Sequence, residues 1–227
     1  MKERLERIKQ RIAAAARSCG RDAPDVRLVA VSKTMNAQRV AQAIAAGAEI
    51  LGENYIQEAR DKFNALYDRP VKWHFIGHLQ SNKAKYAVRM FDLIHSVDSF
   101  KLAKALDKEA SKHDKVQDIL IQVNISREET KSGIDATEAI ELVSQISRLE
   151  NIRVQGLMTM PPFFDAPEQA RPFFRELARL RDRIAAIDIP GVQMAELSMG
   201  MTGDFEVAIA EGATLVRIGT AIFGARQ

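Results

Sequence analysis

The stretch Leu28-Val29-Ala30-Val31-Ser32-Lys33-Thr34 contains a short apolar run of β-forming residues and places a lysine where that run ends. An ammonium group is difficult to desolvate, so a lysine held beside apolar walls has a lowered pKa and a larger neutral, nucleophilic fraction. Such a lysine is suited to forming a Schiff base with a carbonyl compound. The alternative is a lysine at a strand end that reaches into solvent, as most lysines do. Residues further along the chain are needed to choose between the two.

Seven more strand patterns follow this run, and a helical pattern separates each strand from the next. The eight strands are expected to begin near residues 28, 49, 71, 91, 117, 152, 193 and 214. Eight strand–helix units predict an α/β fold of the (β/α)8 TIM barrel type, built as a single domain over residues 1–227. A doubly wound open sheet is the competing fold. The segment Ser32-Lys33-Thr34-Met35, however, lacks the glycine-rich dinucleotide fingerprint that such a sheet often carries after its first strand.

Three helices have apolar stripes that can be compared with the structure. An extra N-terminal helix precedes the first strand, with Leu5, Ile8, Ile12 and Ala15 on its inner face. The helix after the second strand has its stripe at Ile56, Ala59, Phe63 and Leu66. A long helix after the sixth strand places Phe173, Leu177, Leu180, Ile184 and Ile187 on one side. These stripes predict which faces of the helices pack against the barrel.

Composition indicates a soluble globular protein. Hydrophobic residues make up 46% of the chain and charged residues 28%, which is ordinary for a packed domain. The net charge of +3, from 33 basic and 30 acidic residues, is weak evidence for a nucleic-acid partner. The one cysteine, Cys19, excludes an intrachain disulfide and fits a reducing compartment. No signal peptide or membrane span is recognisable, so we expect a cytoplasmic protein with no nucleic-acid or membrane partner.

The carboxyl ends of the last two strands have the composition of a phosphate site. In a TIM barrel the chemistry lies at this end of the strands, and the loops after strands seven and eight often bind phosphate. The small residues Gly219 and Thr220 let backbone N–H groups approach an anion, and Ser198 adds a hydroxyl. The alternative is that these glycine-containing loops are only tight turns.

Charged and polar residues at the same end of the barrel have two interpretations each. Arg217 lies in an otherwise apolar strand, so its charge is expected to find a partner in the barrel mouth, and a salt bridge to Glu196 is the alternative.

Three histidines, at 74, 78 and 95, could bind a metal. Their spacing fits no common metal motif, which favours hydrogen bonding. Lys131 is either a second amine or anion contact, or part of a solvated loop.

Longer motifs join these residues over nearly the whole chain. They are AVSKT (30–34), GENYIQEA (52–59), WHFIGHLQSNK (73–83), HSVDS (95–99), QVNIS (122–126), TKSG (130–133), GLMTM (156–160) and LSMGMTGDFEVAIAEGATLVRIGTAIFG (197–224). In these motifs the chain resembles the pyridoxal phosphate (PLP) homeostasis protein family. That family consists of PLP-binding single-domain barrels related to the N-terminal domain of alanine racemase.

The resemblance implies a cofactor and a set of residues that bind it. Lys33 would carry pyridoxal 5'-phosphate as a Schiff base, and Arg217 would face the pyridine nitrogen. The phosphate would be held by Ser198, Gly219 and Thr220. Asn54 and Met199 would lie beside the cofactor. No metal and no catalytic residue is implied.

The resemblance also implies a role in intracellular PLP homeostasis. The protein would buffer or deliver PLP and influence amino-acid and keto-acid balance, without efficient catalysis of its own. We expect a monomer that meets PLP-dependent apoenzymes transiently. The sequence does not decide whether Lys131 forms a second PLP site.

Two other functions remain open at this point. One is a PLP-dependent amino-acid racemase. The chain ends at Gln227, soon after the last strand, so we expect no C-terminal β-domain to supply the second base that alanine racemases use. The other is a phosphosugar-binding barrel enzyme in which Lys33 forms a Schiff base with its substrate.

Overall fold

Eight parallel strands form a closed barrel in the computed structural model, which describes residues 1–126, 128 and 132–224. Each strand pairs with the next one along the chain, and the last pairs with the first. The strands are β1 (Arg27–Val31), β2 (Ile50–Glu53), β3 (Lys72–Phe75), β4 (Leu93–Val97), β5 (Gln117–Asn124), β6 (Ile152–Met158), β7 (Val192–Ser198) and β8 (Leu215–Ile218). The predicted (β/α)8 barrel is confirmed.

Helices connect the strands and cover the outside of the barrel. They are α1 (Lys2–Ser18), α2 (Ala37–Ala45), α3 (Ile56–Leu66), α4 (Ala84–Met90), α5 (Phe100–Ser111), α6 (Ala139–Ile146), α7 (Arg171–Ala185), α8 (Phe205–Ala210) and α9 (Thr220–Phe223). The sequence did not predict α9, a single turn directly after β8. A short strand, Ile134–Asp135, pairs with the end of β5.

Successive side chains along each strand point alternately into the barrel and toward the helices, and this divides the apolar residues into two cores. Six buried side chains form a separate cluster: Val29, Ile50, Leu93, Leu120, Met158 and Leu215. Their strand neighbours, such as Ala30 and Leu51, belong to the larger core shared with the helices. A barrel strand places successive side chains on opposite faces, so one apolar run supplies both cores. This explains why β1 is apolar at nearly every position.

The helical stripes are mostly as predicted. In α1 the innermost residues include Leu5, Ile8 and Ile12, with Ala16 buried in place of the expected Ala15. The stripe of α7 was extended too far: Ile187 lies beyond the last residue of the helix and is 51% exposed. Among the described residues no helix combines the length and apolarity needed to span a membrane.

Candidate functional site

A cavity of about 190 Å³ lies where the carboxyl ends of β1, β2, β3 and β8 meet. It brings together five of the seven predicted cofactor residues, namely Lys33, Asn54, Arg217, Gly219 and Thr220. Apolar side chains complete the wall, including Val31, Ile76, Met160 and Met201. A larger cavity of about 320 Å³ adjoins Asn54 but contains none of the other predicted residues.

Lys33 reaches this cavity from a constrained piece of backbone. It follows β1 by two residues and precedes Thr34, whose φ of 65° lies in the left-handed region. That conformation is rare for a β-branched residue and has to be held by the surrounding structure. The N–H of Thr34 donates to Oε2 of Glu58 over 2.8 Å. The position of Lys33 is therefore fixed by contacts outside its own strand.

Gly219 and Thr220 form the opposite side of the cavity, where β8 gives way to α9. A Cβ atom on Gly219 would lie 3.2 Å from the carbonyl oxygen of Val31, which is a tight contact. A side chain at this position would therefore require β8 and β1 to shift apart by a few tenths of an ångström beside Lys33. The absence of a side chain also leaves the backbone amides accessible to a ligand.

Arg217 is almost fully buried, and it is held by two neutral groups. Its Nη1 donates to Oγ of Ser198 over 2.6 Å, and its Nη2 donates to the carbonyl oxygen of Thr159 over 2.9 Å. Burial lowers the pKa of Arg217 to about 10, so the guanidinium stays charged at neutral pH. The alternative salt bridge to Glu196 is wrong, because Glu196 pairs with Arg27.

A histidine pair continues from Ser198 into the barrel. Nδ1 of His95 lies 2.8 Å from Oγ of Ser198, and Nε2 of His95 lies 2.9 Å from Nδ1 of His74. Burial lowers the pKa of His74 to about 3 and that of His95 well below its usual value, so both rings are neutral. The hydrogen-bonding interpretation is confirmed for these two histidines. The described part of the chain contains no cluster of three or more His, Cys, Asp or Glu residues that could hold a metal.

Ser198 and Met199 are not brought to the cavity. Both are completely buried, and the Ser198 hydroxyl is already bonded to Arg217 and His95. The sequence predicted this hydroxyl as a phosphate contact because the loop was expected to begin at Ser198. In the structure β7 continues through Ser198. Residues further along, Met201 and Thr202, line the cavity in its place. Lys131, predicted as a possible second amine or anion contact, lies outside the described residues.

A buried ion pair that was not predicted from the sequence lies beside Lys33. Nζ of Lys62 lies 2.8 and 2.9 Å from the carboxylate oxygens of Glu53, and Oγ of Ser32 donates to the same carboxylate. Burial raises the pKa of Glu53, and the attraction of Lys62 opposes this effect. An acidic residue in the apolar strand β2 was the signal that could have revealed the pair.

The cavity fits a small anionic cofactor that carries a reactive carbonyl. Lys33 and Arg217 supply positive charge, and no carboxylate is among the described residues that line the cavity. Oδ1 of Asn54 is buried without a hydrogen-bond partner among the described residues. A buried polar atom without a partner is destabilising, so this atom indicates a place where a ligand group completes the structure.

The chain is similar to known proteins over nearly its full length. Residues 4–227 match the family model described as alanine racemase, N-terminal domain. A pyridoxal phosphate homeostasis protein of Aquifex aeolicus is 45% identical, covering 99% of this chain and 98% of the relative. An unknown protein of Bifidobacterium adolescentis is 40% identical with a TM-score of 0.92, covering 97% of this chain and 93% of the other.

A structure with a bound cofactor is also among the relatives. PipY of Synechococcus elongatus, solved with PLP bound, is 37% identical with a TM-score of 0.83, and the match covers 94% of this chain and all of the other.

Proposed function

Because this chain belongs to the pyridoxal phosphate homeostasis protein family, we propose that it binds pyridoxal 5'-phosphate in the 190 Å³ cavity and that Lys33 holds the cofactor covalently. One observation carries the proposal. Lys33 is the only primary amine among the described residues that line the cavity, and it shares the cavity with Arg217 and the Gly219–Thr220 turn. When bound, the cofactor supplies an aldehyde, which condenses with a primary amine with loss of one water.

Each remaining residue has a distinct task in this proposal. The backbone amides at Gly219 and Thr220 hold the phosphate, at the turn between β8 and α9 that lines the cavity. Arg217 donates a hydrogen bond to the ring nitrogen, and Asn54 gains a partner for its buried amide. Ser198 contributes indirectly, by accepting a hydrogen bond that holds the guanidinium of Arg217 in place. Met199 is buried in the larger hydrophobic core and is not among the residues that line the cavity.

The same arrangement disfavours catalysis at an α-carbon. The charged guanidinium of Arg217 can only donate hydrogen bonds, so a ring nitrogen bonded to it stays unprotonated and the ring is a weaker electron sink. Racemisation also needs a proton donor and a proton acceptor on opposite faces of the substrate. Among the described residues lining the cavity there is no histidine, carboxylate, tyrosine or cysteine, and Lys33 is the only amine, so it is the only acid–base group available there besides the permanently charged Arg217. A missing general base typically lowers a rate by about 10²- to 10⁴-fold.

The biological role that follows is storage and transfer of PLP in the cytoplasm. A covalent link through Lys33 alone would be reversible by hydrolysis, so the protein would keep the reactive aldehyde bound and could release it to apoenzymes. Amino-acid and keto-acid balance then depends on the protein through the PLP-dependent enzymes that it supplies. The protein acts as a monomer, and its contacts with apoenzymes are transient.

Transfer to an apoenzyme tests this role directly. The PLP-loaded protein is mixed with a PLP-dependent apoenzyme, and recovery of that enzyme's activity is followed together with the protein's visible absorbance. We expect activity to rise as the absorbance falls, and the Lys33→Ala protein to carry much less cofactor into the assay.

The loaded protein is also incubated with a panel of L-amino acids. Several turnovers per second to D-isomers or keto acids, lost in Lys33→Ala, would establish a racemase or transaminase in place of a carrier.

A further inference from the structure

The two peptide groups on either side of Lys33 are each held by one side chain of α3. Nζ of Lys62 donates to the carbonyl oxygen of Ser32 over 2.7 Å, and this carbonyl belongs to the Ser32–Lys33 peptide. Oε2 of Glu58 accepts from the N–H of Thr34 over 2.8 Å, and this N–H belongs to the Lys33–Thr34 peptide. Glu58 and Lys62 are four residues apart, so they lie on one face of the helix.

Lys62 is itself anchored by buried charge. Its side chain is 6% exposed and that of Glu53 is 0% exposed. The ammonium is surrounded by the two oxygens of Glu53, the carbonyl of Ser32 and, at 3.6 Å, the carboxylate of Glu58. Breaking a buried ion pair by removal of one partner leaves an uncompensated charge, so the pair resists displacement. The hydrogen bond from Lys62 to the Ser32 carbonyl is therefore held in place by the buried ion pair.

Glu58 is bonded where the backbone needs support. Thr34 has the unfavourable φ of 65°, and it immediately follows Lys33. Ladder bonding between β1 and β2 ends nearby, with the N–H of Ser32 donating to the carbonyl of Gly52. Beyond that point, the contact between Thr34 and Glu58 ties this turn to α3. The strained conformation thus depends on a helix that is distant from β1 in sequence.

We propose that Glu58 and Lys62 are positioning residues for Lys33. They fix both peptide groups that flank its Cα and so direct its amine into the cavity, in the orientation that reaction with an aldehyde requires. The proposal rests on the function proposed above, in which Lys33 holds PLP. It assigns no contact between either residue and the cofactor.

Three substitutions in α3 test this role. Together they distinguish loss of the hydrogen bond to Thr34 from loss of the negative charge and from a general effect on the fold. Glu58→Ala removes the acceptor for the Thr34 N–H, whereas Glu58→Gln keeps an oxygen there and removes only the charge. Asp61→Ala is the matched control, because Asp61 lies on the same helix and its carboxylate is 3.9 Å from Arg60 at the surface. For each protein, total bound PLP is measured by dialysis and the adduct on Lys33 by borohydride trapping and peptide mapping.

We expect Glu58→Ala to trap PLP on Lys33 about tenfold more slowly, because misplacement of a reacting group lowers its rate steeply. Total PLP bound should change by no more than about twofold, since the phosphate and ring contacts remain. Glu58→Gln should regain most of the trapping rate, and Asp61→Ala should match the unaltered protein. Equal trapping rates in Glu58→Ala and Asp61→Ala would overturn the proposal.

Lys62 is tested with its charge partner changed at the same time. The double variant Lys62→Met with Glu53→Gln leaves no unpaired charge in the core, so it avoids the unfolding that Lys62→Met alone is expected to cause. It should remain folded and show the same slow trapping as Glu58→Ala. A folded double variant that traps PLP at the original rate would exclude Lys62 from the positioning role.

A measurement without cofactor distinguishes failure of this proposal from failure of the proposed function. Amide hydrogen exchange at Thr34 reports the contact with Glu58 directly. Exchange should be faster in Glu58→Ala than in Asp61→Ala, and slow again in Glu58→Gln. An unaltered protein that gives no adduct on Lys33 would contradict the proposed function, while unchanged exchange at Thr34 would contradict the positioning role.

Discussion

Arg217 and Ser198 are joined by a hydrogen bond of 2.6 Å inside the barrel. A guanidinium is a donor only, so the Ser198 hydroxyl accepts this bond. The arrangement that satisfies every group then has Ser198 donating to Nδ1 of His95 and Nε2 of His95 donating to Nδ1 of His74. This series of hydrogen bonds begins at the cavity, with Arg217, and ends in the core, with His74. Ser198 therefore holds the guanidinium of Arg217 in place.

Replacing Ser198 tests whether its hydroxyl serves the fold or the ligand. Ser198→Ala leaves the buried Arg217 and His95 each without one partner. A hydrogen bond to a charged group contributes roughly 1.5 to 3 kcal/mol, so the free energy of unfolding of the cofactor-free protein should fall by about that amount. Urea unfolding measures it. A direct phosphate contact would give the opposite pattern, with unchanged stability and a large loss of PLP affinity.

Gly219 should tolerate no side chain if the amides beside it hold the phosphate. Gly219→Ala places a Cβ 3.2 Å from the carbonyl oxygen of Val31, so the turn has to move away from β1. We expect PLP affinity, measured by titration of visible absorbance, to fall at least about tenfold, corresponding to roughly 1.4 kcal/mol. Gly203→Ala is the control, since a Cβ there meets no atom within 4 Å. Equal affinity in the two variants would remove Gly219 from the phosphate site.

Asn54 should contribute to the ligand and not to the empty protein. Its buried Oδ1 lacks a partner among the described residues, and such an atom destabilises a fold by about 1 to 3 kcal/mol. Asn54→Ala should therefore leave the free energy of unfolding without PLP unchanged or higher, while PLP affinity falls. Thermal unfolding with and without PLP measures both effects. A clear loss of stability without cofactor would show that the amide serves the fold.

The neutral histidine pair predicts a pH dependence of stability. The pKa of His74 is lowered to about 3 in the folded chain, against roughly 6.5 when unfolded. Below pH 6.5 the unfolded chain therefore binds a proton that the folded chain excludes, and stability decreases as the pH falls. The decrease is about 1.4 kcal/mol per pH unit for one such histidine.

A variant without the titrating ring isolates this contribution. His74→Asn keeps an acceptor near the position of Nδ1, and the free energy of unfolding should depend less on pH between 6.5 and 5 than in the unaltered protein. His113→Asn changes an exposed histidine and serves as the control for the substitution itself. Identical slopes in all three proteins would mean that His74 is not held neutral by the fold.

Much of the fold was predictable because β1 and the strands after it repeat one pattern. Eight apolar runs separated by helical stripes specify a closed barrel, and the rule that chemistry lies at the carboxyl ends then selects Lys33, Arg217 and Gly219. The sequence could not show how far each strand extends. Because β7 continues for one residue more than expected, Ser198 bonds to Arg217 and His95 and does not line the cavity.

The buried charges were harder to predict for a different reason. Hydrophobic periodicity identifies apolar faces, and it treats Lys62 as a surface residue between Ala59 and Phe63. Its partner Glu53 lies on β2 and not on α3, so only the three-dimensional contact explains why a lysine is buried at that position. The support that α3 gives to Lys33 could not be inferred without that contact.

The most direct test of the account is to locate the cofactor on the chain. The protein is incubated with PLP, reduced with borohydride, digested and analysed by mass spectrometry. We predict one pyridoxyl group per chain, on the peptide that contains Lys33, and its loss in Lys33→Ala. A protein that binds no PLP, or that carries its main adduct on another lysine such as Lys131 or Lys83, would contradict the account.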